Sequence, residues 1–444
     1  ASPMHRNTAQ FYLDRQAEYE SNARTYPRRL PIAIRKAKGL YVTDADGRRF
    51  MDCLCGAGTL ALGHNHPVVT DAIIRHVEDE LPLHSLDLTS PVKDAFVREL
   101  FETLPPSFAA KAKIHFCGPT GADGVEAAFK LVKTATGRRS LLAFSGGYHG
   151  QTHGALATMG NLGPKTPVTG LMPDVHFLPF PSATRCPFGC AACDGRHLAG
   201  YAEHLLDDPE GGVTHPAGAI LEVVQGEGGV QPAPDDWLRD IRRVTRERNI
   251  PLIIDEVQTG WGRTGRMYAF ERAGIEPDVL VLSKAIGGGL PLAVIVYDEA
   301  LDVWKPGAHT GTFRGNQLAM ATGLATLRFL LEHDIPAHAE KMGQRLSGRL
   351  MELACEHEFV GEVRGRGLML GVEMIDLRAT DSYGRPRPDG DRARAIQREC
   401  FARGLMIELG GRHGSVIRFL PPLVVTEAEV DAIADVVAEA CRAV

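Results

Sequence analysis

No apolar run in this 444-residue chain approaches the roughly 18 residues that a membrane-spanning helix needs, which excludes a helical membrane protein. A basic block is also lacking. Lys and Arg number 49 against 55 Asp and Glu, a formal charge of −6, which argues against nucleic acid as the main partner. There is no repeat, low-complexity tract or heptad array. Apolar residues at 44% and charged residues at 23% match an ordinary globular chain and exclude disorder over most of it. Residues 4–29 are polar and charged and lack the apolar stretch of a signal peptide. Ala1-Ser2-Pro3 ahead of Met4 reads as a cloning remnant. Nine cysteines, an odd number scattered without a secretion signal, predict reduced thiols and a cytoplasmic location.

The length suggests roughly two or three domains. Short, almost wholly apolar runs at 141–144, 219–224, 251–254, 279–282 and 292–297 read as strands buried on both faces. Helical periodicity lies between them. Val125, Ala128, Phe129 and Val132, for instance, recur at i, i+3, i+4 and i+7. Alternating strands and helices predict an α/β fold with a mostly parallel central sheet. From about residue 319 the pattern changes to long helices and a few strands, a smaller α+β unit. Expected boundaries are an N-terminal segment of the small domain at 1–65, a large domain at 66–325 and the rest of the small domain at 326–444.

Ligands of open α/β sheets bind at the carboxyl ends of the strands. Three of the predicted strands end in reactive groups: 279–282 runs into Ser283-Lys284, 251–254 into Asp255-Glu256, and 219–224 into Gln225-Gly226-Glu227. A lysine at a sheet mouth before a glycine turn suits bond formation with a carbonyl. Gly118-Pro119-Thr120-Gly121-Ala122-Asp123-Gly124 precedes a helix expected to begin near Val125, where backbone N–H groups and the Thr120 hydroxyl can meet a phosphate. No Gly-Lys-Ser/Thr follows, so this is not a nucleotide P-loop, and no His-Glu-x-x-His zinc motif occurs. A phosphate cradle, an acid and a lysine at one rim describe a site for pyridoxal 5′-phosphate. There Lys284 would hold the aldehyde and Asp255 would keep the ring nitrogen protonated.

The stretch from Ile254-Asp255-Glu256-Val257-Gln258-Thr259-Gly260 through Gly262-Arg263-Thr264-Gly265 to Ser283-Lys284 resembles the fold-type I, class III (ω) aminotransferases. The likeness extends from Gly39-Leu40-Tyr41-Val42 to Arg418-Phe419-Leu420-Pro421-Pro422. Segments such as Ser21-Asn22-Ala23-Arg24-Thr25-Tyr26-Pro27-Arg28 and Gly311-Thr312-Phe313-Arg314-Gly315 are similar to the subgroup that uses L-2,4-diaminobutyrate and 2-oxoglutarate. The resemblance implies that Lys284 shuttles the proton and Asp255 pairs with the ring nitrogen. It also implies that Val257 and Tyr148 cover the two ring faces and Gln258 reaches the ring hydroxyl. Thr120, Gly121 and Ala122 would hold the phosphate. Thr312 would add to it from a neighbouring subunit, so a homodimer with shared sites, possibly a tetramer, is expected.

The likeness further implies a switch in which Glu227 masks Arg418 for the amine substrate and releases it to clamp a dicarboxylate. A structural salt bridge is the plainer reading of that pair. Many relatives carry Arg where this chain has Gln151. Substrate carboxylate recognition is therefore unassigned, with Arg28 and Arg314 candidates by charge alone. His149 reads as structural. Other amine donors (ornithine, 4-aminobutyrate) stay open, as does a racemase, mutase or decarboxylase using the same lysine and acid. Cys186, Cys190, Cys193 and His197 have a spacing that could hold zinc, or could be a loop of free thiols; no metal is expected.

Overall fold

The computed structural model describes residues 7–444; residues 1–6, including the Ala1-Ser2-Pro3 expected to be a cloning remnant, lie outside the described residues. A seven-stranded sheet forms the centre, in the spatial order Ala112–Phe116, Val294–Asp298, Val279–Leu282, Leu252–Asp255, Gly218–Leu221, Leu141–Phe144, Val175–Leu178. Val294–Asp298 runs antiparallel to both neighbours and the other pairings are parallel. The inner strands are apolar up to their last residue because both faces are covered. Alternate residues Leu280 and Leu282 face one core, and Val279 and Val281 the other.

Gly121–Thr136 is the helix that matters most for the site. Its Val125, Ala128, Phe129 and Val132 are buried, as their spacing predicts. It begins four residues earlier than expected, at Gly121, with Thr120 as N-cap accepting the Asp123 N–H through its hydroxyl. The absence of a side chain at Gly124 allows this early start, since a Cβ there would lie 2.9 Å from Val281 Cγ1. The helix N-terminus can therefore rest directly on the sheet.

Two further sheets flank this layer. Ile34–Lys38, Tyr41–Asp44 and Arg49–Asp52 form an antiparallel meander, and Leu405–Met406 joins it parallel to Arg49–Asp52. A second antiparallel sheet contains Val360–Arg366, Met369–Thr380, Val416–Phe419 and Glu408–Gly410. Helices Gln317–Glu332 and Ile335–Glu356 lead into it, and Glu427–Arg442 closes the chain behind a capping box of Thr426 and Glu429. Among the described residues no helix is long and apolar enough to cross a membrane.

Leu280 is fully buried in the central sheet. Leu280→Ala should therefore cost about 2–5 kcal/mol in chemical unfolding. The exposed Leu162 should tolerate the same change within about 0.5 kcal/mol; equal losses at both positions would contradict the assigned core.

Candidate active site

The carboxyl ends of three adjacent strands deliver the reactive groups. Asp255 closes Leu252–Asp255 and pairs in register with Val281 of the strand that leads into Lys284. Glu222 follows directly on Gly218–Leu221. Lys284 opens a short 3-10 turn with a left-handed φ of +50°, a conformation unusual for a side-chain-bearing residue and often found at functional sites. Ser283 steadies that turn by donating to the Leu292 carbonyl at 2.6 Å. Burial pushes the Lys284 ammonium pKa down. Glu227 opposes this, Arg418 reinforces it, and Asp255 and Glu222 oppose it more weakly.

Asp255 is 5% exposed; its Oδ1 accepts the Val257 N–H at 2.9 Å and its Oδ2 lies 2.8 Å from His149 Nδ1. His149, read from the sequence as structural, thus touches the candidate cofactor acid directly. Burial alone would lower its pKa, but the hydrogen bond and charge of Asp255, helped by Glu222, hold it above the ordinary value. Its Nε2 is buried with no partner. Glu222 is the residue the sequence reading missed. Its two oxygens accept the N–H groups of Tyr148 at 2.8 Å and Gly226 at 3.1 Å, tying two site loops together. Burial pushes its carboxyl up to about 7, with His149 pulling down and Asp255 pushing up.

The anion-binding candidate lies against this group. The first N–H groups of a helix have no partner within it, and Thr120 occupies only that of Asp123. A Cβ on Gly121 would meet Val257 Cγ1 at 2.9 Å, so the helix start and Val257 are in contact. Gly150, two residues after Tyr148, approaches the Ala122 side chain. Thr120, Gly121, Ala122, Tyr148, Asp255 and Val257 are thereby joined around one rim, and the charge of Asp255 acts on Lys284. Gln151 bonds the Tyr148 hydroxyl.

Across the rim, Arg418 is 1% exposed and donates through Nη1 to Glu227 at 3.1 Å and through Nη2 to Gln258 Oε1 at 3.0 Å. Gln258 spends its amide N–H on the Ala57 carbonyl at 3.0 Å, so both ends of that side chain are engaged. Glu227 sits in the turn between the paired strands Val224–Gln225 and Gln231–Pro232. Its carbonyl accepts the Gly411 N–H at 2.9 Å, which anchors the turn to the C-terminal sheet.

Other expected residues stand apart. Thr312 is exposed on this chain, and among the described residues no hydrogen bond or ion pair joins it to the cluster. Three residues before it, His309 reaches Asp123 Oδ1 at 2.6 Å, on the flank of the candidate phosphate helix. Arg28 is held by Asn22 and Arg24, and Arg314 by Asp87 and the His309 carbonyl. The Cys186 thiol bonds those of Cys190 and Cys193, while His197 is exposed on the first turn of helix Arg196–Asp207. Among the described residues no group of three or more His, Cys, Asp and Glu is placed to hold a metal ion.

A mostly parallel sheet with a lysine, an acid and a helix start at its carboxyl edge has the architecture of the fold-type I pyridoxal-phosphate enzymes. Comparison with known proteins narrows this. Residues 22–441 match the model of the class III aminotransferases. A diaminobutyrate–2-oxoglutarate aminotransferase of Rhizobium meliloti is 57% identical over 97% of this chain and 92% of its own. Its namesake from Haemophilus influenzae is 50% identical over 95% and 93%. Among solved structures, an (S)-enantioselective ω-transaminase from Thermomicrobium roseum superposes with a TM-score of 0.86 at 26% identity, covering 98% of this chain and 99% of its own. A PLP-bound amine transaminase from an uncultivated Pseudomonas species gives 0.82 at 29%, covering 95% and 97%. The chain belongs to the class III aminotransferase family, whose cofactor is pyridoxal phosphate.

The buried acids make a prediction about stability. A carboxyl whose folded pKa is raised stabilises the fold below its unfolded pKa and loses that contribution as pH climbs through the folded one. For Glu222 the loss spans about 4.5 to about 7. Wild-type thermal stability should fall across that window, and Glu222→Gln should flatten the fall. Parallel curves for the two proteins would show that Glu222 ionises in its ordinary range.

Proposed function

We propose that this enzyme transfers the terminal amino group between L-2,4-diaminobutyrate, with aspartate 4-semialdehyde as its carbonyl partner, and the glutamate/2-oxoglutarate pair, acting as a homodimer. The observation that carries the reading is the buried Arg418 closed on Glu227 beside the free amine of Lys284. A cationic amine and a dicarboxylate must use one pocket in turn, and an arginine that can be covered or uncovered suits both. The names of the 57% and 50% identical relatives support the same substrates.

The donor set suits pyridoxal phosphate. Lys284 has an amine with no hydrogen bond among the described residues, and burial lowers its pKa, the direction that favours a nucleophilic amine. Gly121 and Ala122 leave N–H groups for a phosphate at a helix start that lies against Val257. Asp255 is a buried acid backed by His149, suited to holding a proton on a ring nitrogen. When bound, the cofactor supplies an aldehyde that carries the amino group and an electron sink for the carbanion.

Lys284 then moves the proton at the substrate carbon as base and acid. Val257 and Tyr148 would cover the two faces of the bound ring. Thr312, exposed on its own chain, is suited to reach the phosphate of a second copy. Glu227 keeps Arg418 neutralised while the amine donor is bound. When it swings away, Arg418 offers a planar pair of donors to the carboxylate of glutamate or 2-oxoglutarate.

Adding L-2,4-diaminobutyrate alone to the holoenzyme should bleach the absorption band of the lysine-bound cofactor, and 2-oxoglutarate should restore it. A band unmoved by diaminobutyrate would refute the substrate and leave the family standing. Lys284→Ala should abolish turnover, and near-normal rates would sink its role. Asp255→Asn should slow it about a thousandfold or more. Glu227→Ala should impair the diaminobutyrate half-reaction more than the glutamate half, and equal effects would mean there is no switch.

A further inference from the structure

Glu408 is a buried carboxyl, 7% exposed, that the chemistry above does not use. It lies on strand Glu408–Gly410, directly opposite Arg418 in the antiparallel register, so the two side chains share one face. The Leu409 N–H donates to its Oε1 at 2.9 Å, and the Tyr26 hydroxyl pairs with the carboxyl. Among the described residues no Lys, Arg or His lies within 4.0 Å of it to form an ion pair.

Arg418 is the guanidinium that draws this carboxyl down against its burial, and its terminal nitrogens go to Glu227 and Gln258. Two carboxylates, Glu227 and Glu408, therefore share the single positive charge of Arg418, and Glu227 and Arg418 in turn act on the Lys284 amine. A buried carboxylate without its own cation is costly. A ligand bearing a second positive charge would remove that cost.

We infer that Glu408, positioned by Tyr26, is the binding site for the α-ammonium group of the diamine substrate, a specificity element resting on the diaminobutyrate reading above. The substrate carries two ammonium groups. One must reach Lys284, and the other meets Glu408 while Glu227 keeps Arg418 covered. A donor such as 4-aminobutyrate has no charge to offer there and brings a carboxylate toward one, so the same residue disfavours it. The phenol of Tyr26 is pushed upward by burial and by the Glu408 and Glu227 carboxylates, so it stays protonated and donates to Glu408. That bond fixes which way the carboxylate points.

The test uses the holoenzyme and follows the cofactor absorption in each half-reaction separately, with L-2,4-diaminobutyrate and with L-glutamate on the same preparation. Glu408→Gln should raise the half-saturating concentration of diaminobutyrate about tenfold or more relative to that of glutamate. Tyr26→Phe should shift the same ratio in the same direction by less. Equal effects on both donors, including loss of both, would overturn the assignment and leave Glu408 a structural group. If Glu408→Gln yields no folded protein, Tyr26→Phe decides, and an unchanged ratio overturns the inference. Wild-type enzyme that reacts with glutamate but not with diaminobutyrate would overturn the substrate reading itself, an outcome distinct from any result with the variants.

Discussion

A guanidinium cannot lose its charge to escape burial, so Arg418, almost fully enclosed, obliges the fold to bring it an anion. The partner comes from a different layer. Arg418 belongs to the C-terminal antiparallel sheet, and Glu227 to a turn that leaves the central sheet after Gly218–Leu221. The pair therefore ties two independently hydrogen-bonded layers together at the site. Gln258, from the loop after Leu252–Asp255, adds a third attachment. The remaining charges act on this tie and on one another: Lys284 feels Glu227, Arg418, Asp255 and Glu222, and Glu408 lies opposite Arg418 in the strand register. None is isolated, because in a medium of low polarity neighbouring charges act strongly on one another.

Part of this was legible in the sequence because it rests on local pattern. Runs such as 279–282 are apolar at every position only because both faces are covered, and a lysine just past such a run can lie only at the sheet mouth. Strands with mixed sides were invisible. Ala112–Phe116 carries Lys113 and His115 and Val175–Leu178 carries His176, because both lie at the edges of the sheet and are only partly buried. Periodicity placed the helix after Gly118 too late. Its first turn consists of small residues whose role is contact with Val257 and Val281, not burial of an apolar stripe.

The carboxyl groups that set the electrostatics were harder still. Glu222 was absorbed into an apparent run at 219–224, since one charge among apolar neighbours carries no signal of which loops it will hold. Glu408 acquires meaning only through its register with Arg418, a pairing that lies in the folded sheet and in no short motif. His149 beside Tyr148 is equally mute until Asp255, distant in the chain, arrives against it. Sequence reading finds groups that sit at element ends; it does not find those whose role depends on the element across from them.

The pairing of Leu405–Met406 with Met51 and Asp52 has a consequence for biosynthesis. The central layer is complete in the chain once Val294–Asp298 has been made. The amino-terminal meander, although synthesised first, lacks its last strand until the chain is nearly finished. Through that interval it exposes a strand edge of the kind that recruits other chains. Closing so long a loop is intrinsically slow. Completing that sheet thus requires one short strand, made late, to dock onto the oldest part of the polypeptide, and until it does the open edge favours association between molecules over completion within one.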